Sequence, residues 1–200
     1  MRTLLLVLGA LMLSASSASA QIDGSLRLHL EVPVLSYVSE TTTPDGADDG
    51  TTLSYLSIGP GSAGFGMGLG YGLSEMLVLG TNLAVQLTSI SPDEGDSTTV
   101  TNMQIMPYLE AVFGEGTARP FIGAHLMLQI NGTENSDTTM FGLGALAGAH
   151  IFLTDSFSFD ISGRLYYATG TRTVEVEPID VDTDISEIGV AVMIGVSGWT

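Results

Sequence analysis

Ala63-Gly64-Phe65-Gly66-Met67-Gly68-Leu69-Gly70-Tyr71-Gly72-Leu73 decides the fold. A period of two is the signature of a β-strand, and glycine at every second position makes a helix very unfavourable. One face carries Ala, Phe, Met, Leu and Tyr, while the other carries no side chains at all. Glycine weakens a strand and packs nothing on an open surface, so five in a row belong where other side chains need the room.

The same rhythm runs outward along the chain. Strands are predicted near 25–38, 53–72, 76–89, 99–114, 119–131, 139–153, 157–171 and 185–198. Leu26, Leu28, Leu30 and Val32 oppose Arg27, His29 and Glu31; Ile122, Ala124, Leu126 and Leu128 oppose Gly123, His125 and Gln129. Phe157, Phe159, Ile161 and Leu165 oppose Ser158, Asp160, Ser162 and Arg164. Each segment has the roughly 9–11 residues that a tilted strand needs to cross a bilayer. Short turns at 74–75, 115–117 and 154–156 alternate with long polar links at about 40–52, 90–98, 132–138 and 172–184. That alternation is an up-and-down meander, and closing it leaves no edge strand exposed.

The first twenty residues read as a leader. Met1-Arg2-Thr3, the ten-residue apolar run Leu4–Leu13 and Ala18-Ser19-Ala20 have the order of a secretory signal peptide. Cleavage before Gln21 is expected, leaving 21–200 as one barrel domain with four arginines against 22 acids. The formal charge of −17 excludes nucleic acid as a partner. The absence of cysteine excludes disulfides and thiolate metal sites.

Alternation alone fits two barrels: a lipocalin-like one hides its apolar face, and an outer-membrane one turns that face to lipid. The other face discriminates. It is mostly Gly, Ala, Ser, Asn and Gln with few charges, and the chain has no lysine. This is a poor solvent surface but a good lining for a crowded eight-stranded lumen. Tyr71, Phe113, Phe157 and Phe159 near the short turns, and Phe141 and Tyr167 near the long links, suit two interfacial aromatic girdles. The expected fold is all-β: an eight-stranded antiparallel up-and-down transmembrane β-barrel.

Several phrases carry a resemblance: Gly70-Tyr71-Gly72-Leu73-Ser74-Glu75, Met106-Pro107-Tyr108-Leu109-Glu110, Arg119-Pro120-Phe121-Ile122-Gly123, and the run Phe152 to Phe159. The mature chain resembles the small eight-stranded outer-membrane barrels of the OmpA transmembrane-domain and OmpX-like kind. That resemblance implies the bacterial outer membrane as location, its lipids and lipopolysaccharide as surroundings, the barrel assembly machinery as a partner, and a monomer. Family members usually end on an aromatic residue, whereas here Trp199 precedes Thr200.

Arg27, His29, Glu31, Glu110, His125, His150, Asp160 and Arg164 share the lumen face. Charges in a low-dielectric lumen must be paired, so a plug of salt bridges is expected, with one protonated histidine completing the balance. The three histidines lie on separate strands without metal-motif spacing, and no metal site is assigned. Ser162 and His150 are the nearest approach to a nucleophile and base, so a lipid A-modifying enzyme is the least favoured reading. Gly59-Pro60-Gly61-Ser62-Ala63-Gly64 matches G-x-G-x-x-G but lacks the helix that a dinucleotide site requires.

Fourteen of the 22 acids fall in the long links. Parity in the fourth predicts a protruding hairpin turning near Pro178-Ile179, with Val174, Val176, Ile179 and Val181 inward. Glu175, Glu177, Asp180, Asp182 and Asp184 would form an acidic outer stripe. No cofactor is expected, beyond weak Ca²⁺ or Mg²⁺ binding by such carboxylates. The functional expectation is a structural or surface-interaction role with a plugged lumen; the alternative is a narrow pore or conduit for small or apolar molecules.

Overall fold

The computed structural model describes residues 22–46, 49–58, 65–90, 98–133, 136–176 and 179–200. The leader with its cleavage point, the Gly59–Gly64 motif, Asp48, Asp93, Glu94, Asp96, Glu134 and Glu177 lie outside the described residues.

Nine antiparallel segments follow one another: β1 (Leu26–Pro44), β2 (Thr51–Ile58), β3 (Phe65–Ser74), β4 (Leu77–Ile90), β5 (Thr98–Val112), β6 (Ala118–Thr133), β7 (Ser136–Thr154), β8 (Phe157–Val176) and β9 (Ile179–Trp199). From β3 onward each pairs with the next, and β1 pairs with both β3 and β9, which closes the ring. The barrel therefore has eight staves, the second supplied in two pieces. β3 lies along the first part of β1 and β2 along its far part.

This corrects the continuous strand expected over 53–72. Glu31 pairs with Gly66 and Leu35 with Ile58, so four steps along β1 correspond to eight along its partner. The cause is chemical. Pro33 has no N–H to give a ladder, and the β1–β9 register shifts between Pro33 and Leu35. The partner sequence carries Gly59-Pro60-Gly61, a strand-breaking composition. The shift also swaps the parity of β1. Arg27, His29 and Glu31 are buried inside, but beyond Pro33 it is Leu35 and Tyr37 that face outward.

The third expected long link is likewise strand, and the fourth carries the expected hairpin. β6 and β7 pair up to Thr133↔Ser136, and β8 and β9 up to Val176↔Ile179. The alternating Thr, Val and acid residues of 171–184 keep the ladder going. β7, β8 and β9 run 19, 20 and 21 residues, about twice the length needed to cross a bilayer.

The barrel is inside-out by the standards of a water-soluble domain. Leu69, Leu79, Leu126, Leu143, Leu165 and Ile188 are all at least half exposed on its outer face. Such a contiguous apolar belt belongs in lipid. Tyr71 and Phe113 sit at the short-turn end of the belt, and Tyr37, Phe141 and Tyr167 toward the opposite, long-strand end.

The short-turn end is shut. Ile22, Val78, Tyr108, Val112, Phe121, Leu146, Phe152 and Trp199 form one buried apolar cluster across it. Ile22 is tucked beneath the staves, its carbonyl accepting from the Ser25 N–H (3.0 Å) and hydroxyl (2.7 Å). Gly72 has to be glycine there, because a Cβ would run into that carbonyl.

Candidate functional site

The lumen contains two tiers of paired charge above this apolar floor. In the lower tier Arg27 comes from the start of β1, where parity points it inward. Its Nη1 donates to Glu110 Oε2 on β5 at 2.8 Å, its Nη2 to Asp160 Oδ2 on β8 at 3.1 Å, and its Nε to Ser197 Oγ on β9 at 3.0 Å. The guanidinium carbon lies 5.3 Å from the Trp199 ring centre, a cation–π contact. His150 Nδ1 lies 2.9 Å from Asp160 Oδ1, and its Nε2 lies 3.7 Å from Glu110 Oε2. The ring is stacked on Phe121 at 4.4 Å. Asp160 also accepts from Ser158 at 2.8 Å and from Ser197, and Ser158 in turn accepts from Trp199 Nε1 at 3.1 Å. Two carboxylates face one guanidinium here, with the His150 ring against both of them.

The upper tier is smaller. Arg164 Nη2 on β8 donates to Glu31 Oε2 at 2.6 Å across the lumen. Asn82 Nδ2 on β4 donates to Glu31 Oε1 at 3.0 Å, and His29 Nε2 donates to Asn82 Oδ1 at 2.6 Å. Ion pairs this buried satisfy each other's lone pairs and protons, and removing one partner leaves a charge stranded. The glycine face of β3 makes the tiers fit. Gly66 faces Glu31, Gly68 faces His29 and Asn82, and Gly70 faces the Tyr108 hydroxyl, each with too little space for a comfortable Cβ.

Above the tiers the character changes. Met106, Met127, Met140, Ala168 and Ile185 pack together on the β5–β9 side, with Tyr166 against them. Tyr166 donates to Glu187 Oε1 at 2.5 Å. Beside this cluster lies a cavity of about 110 Å³, reaching from Glu31 and Arg164 below to Pro33, Ser36 and Val38, Gly66 and Ala84, and Met193. Higher still is a polar vestibule of about 520 Å³ lined by Gln86, Asn102, Asn131, Thr138 and Arg172. Arg172 closes part of its rim through Glu40 (3.2 Å) and Thr138 (3.3 Å).

The cavity borders an interrupted wall. β3 and β4 pair from Ser74↔Leu77 up to Phe65↔Val85, one step above the cavity residues Gly66↔Ala84. Beyond that step, β2 pairs with β1 and β4 with β5, and among the described residues β2 and β4 do not pair with each other. β2 is accordingly exposed on both faces, with Leu53 and Tyr55 on one and Leu56 and Ile58 on the other. Tyr55 stands opposite Val38, a cavity residue, and so shares its inward side.

All eight polar residues expected in the lumen are buried or nearly so. Arg27, Glu110, His150 and Asp160 meet in the lower tier, and Glu31, Arg164 and His29 in the upper. His125 stands apart, lining the cavity with no hydrogen bond to either ring nitrogen among the described residues. Sequence reasoning missed Asn82, Tyr108, Ser158, Ser197 and Trp199, although all share the lumen parity of their strands. It also left Tyr166, Glu187, Glu40 and Arg172 unassigned. Of the acidic stripe, Asp182 and Asp184 are exposed, and Asp182 accepts from Thr173 at 2.8 Å. Glu175 and Asp180 are ladder partners. Among the described residues no group of three or more His, Asp or Glu is arranged to hold a metal ion. His150 is engaged by Asp160, Glu110 and Phe121, and among the described residues no hydrogen bond joins it to Ser162.

A closed antiparallel barrel with lipid-facing leucines and tiered charges inside defines a class: the chain is a small β-barrel of the bacterial outer membrane. No protein-family model and no curated protein sequence matches it. Solved structures do. The chain is similar to outer membrane protein AlkL, determined by solid-state NMR in DMPC bilayers, with a TM-score of 0.66, 14% identity, and 93% of this chain and 94% of that one covered. It is also similar to outer membrane protein OprG from Pseudomonas aeruginosa, whose crystal structure aligns with a TM-score of 0.59 and 10% identity over 92% of this chain and 99% of that one. At these identities the likeness is one of fold.

Proposed function

We propose that this barrel is a conduit for small, mainly apolar molecules, which enter at the long-strand mouth and leave sideways into the bilayer instead of passing through to the periplasm. The observation that carries this reading is the cavity above the Glu31–Arg164 tier, whose wall at Gly66 and Ala84 adjoins the place where β2 and β4 are unpaired. Below it, two ion-pair tiers and an apolar floor leave no route for ions. Above it, Leu53, Tyr55 and Val38 give the β1–β2 side of the mouth an apolar wall. A molecule moving down that wall exchanges water for methionine and leucine surface, which is favourable at about 25 cal/mol per Å² of apolar area. Leaving sideways costs little further, because the lipid tails are equally apolar. The sequence alternative of a narrow through-pore is not favoured by this arrangement.

The test is transfer of an environment-sensitive apolar dye from solution into proteoliposomes containing the purified barrel. Wild type is expected to speed transfer over empty vesicles, and Ala84→Trp, which fills the cavity beside the interrupted wall, to remove the gain. Equal rates for wild type, Ala84→Trp and empty vesicles would refute the reading.

A second reading, contact at the cell surface, is supported by the β8–β9 hairpin. Its ladder continues to Val176↔Ile179, giving a rigid projection with Asp182 and Asp184 exposed beside the lipopolysaccharide layer. Deleting residues 174–181 should then impair surface contacts while leaving dye transfer intact.

A further inference from the structure

The cavity is not purely apolar, and a buried imidazole without a hydrogen-bond partner among the described residues narrows what it holds. We propose, on the basis of the conduit reading, that it selects uncharged molecules with an apolar ring or short chain and one hydroxyl, and that His125 binds the hydroxyl. His125 is 95% removed from solvent, yet neither ring nitrogen has a hydrogen-bond partner among the described residues. A buried imidazole left this way forfeits a hydrogen bond that a guest could restore. The larger polar side chains around it are occupied. Arg164 is held by Glu31 at 2.6 Å, Tyr166 by Glu187 at 2.5 Å, and Gln104 donates to Gln129 at 2.7 Å.

The occupied groups set the guest's charge. A carboxylate would compete with Glu31 for Arg164 and lie beside that carboxylate's charge, and an ammonium would face Arg164 directly, so a neutral head fits best. Neutral imidazole has one donor nitrogen and one acceptor, and a hydroxyl can answer either. Met106, Met127 and Met193 supply soft, adaptable walls for the body of the guest. The cavity's 110 Å³ is below the roughly 150 Å³ of an apolar protein cavity that holds benzene, so a single ring or a short chain is the largest body it takes.

The experiment is ligand-detected ¹⁹F NMR with 4-fluorophenol, 4-fluoroanisole and 4-fluorotoluene on the purified barrel in nanodiscs, with empty nanodiscs subtracted. Wild type is expected to bind the phenol about five-fold more tightly than the toluene, the size of one net hydrogen bond, with the anisole between them. His125→Phe is expected to erase the preference while still binding the toluene, and His125→Gln, which keeps a donor and an acceptor, to restore part of it. Heat-shifted migration on gels verifies that each variant is folded. Equal binding of the three probes by wild type, or a phenol preference that survives His125→Phe, would overturn the assignment. In either case dye transfer blocked by Ala84→Trp would still stand, whereas loss of all probe binding together with dye transfer would remove the conduit itself.

Discussion

The two halves of this lumen are built from the same strands by opposite means. The short-turn half is filled: Arg27, Glu110, His150 and Asp160 interlock over an apolar floor, and glycines give up side chains to make room. The long-strand half is hollow, walled by methionines and two-faced β2, with a bulge at Pro33 in β1 and the second stave in two pieces beside it. The difference shows what each half can do. On the proposed conduit reading, ion pairs on two levels resist passage, while an apolar wall and an unpaired strand edge give access.

The comparison is sharpest at Asp160, which accepts from Arg27, Ser158 and Ser197 and holds His150. Asp160→Ala leaves Arg27 with Glu110 alone of its two carboxylates and takes the shared acceptor from Ser158, Ser197 and His150, so it should cost about 3–5 kcal/mol in urea unfolding from lipid vesicles. Next comes Gly68→Ala, whose new methyl group meets His29 and Asn82. It should cost about 1–3 kcal/mol by overpacking. At the other end Gly132 has room for a Cβ, with only Asp137 in ordinary contact at 3.4 Å. Gly132→Ala should therefore stay within about 0.5 kcal/mol of wild type in the same assay. Trp199→Phe keeps the ring but deletes the N–H that serves Ser158, and about 1 kcal/mol should be lost. Arg172→Ala at the mouth breaks a partly solvated pair with Glu40 and should likewise cost no more than about 1 kcal/mol. A mouth variant as damaging as Asp160→Ala would erase the distinction between the halves.

Much of this was legible in the residues because a strand has only two faces. Once Gly66, Gly68 and Gly70 are assigned inward, parity carries Arg27, Glu110, Asp160 and Arg164 in with them. Pairing within the lumen was not legible. Which carboxylate Arg27 meets depends on the stagger of β1, β5 and β8 around the ring, and period-two alternation carries no trace of it. The break in the second stave had a visible cause in Gly59-Pro60-Gly61, and the bulge in β1 had one in Pro33, yet both lie inside otherwise regular alternation. The strands also outran their predicted ends. Beyond the lipid belt both faces meet water, so the apolar-polar contrast fades at residues such as 132–138 although the ladder persists.

The central claim is that the short-turn half is sealed while the long-strand half is open. Planar-bilayer recording of the purified wild-type barrel at neutral pH tests it most directly. The bilayer should show no stable conductance level, whereas a steady ohmic current through single inserted molecules would mean that the ion-pair tiers do not close the lumen.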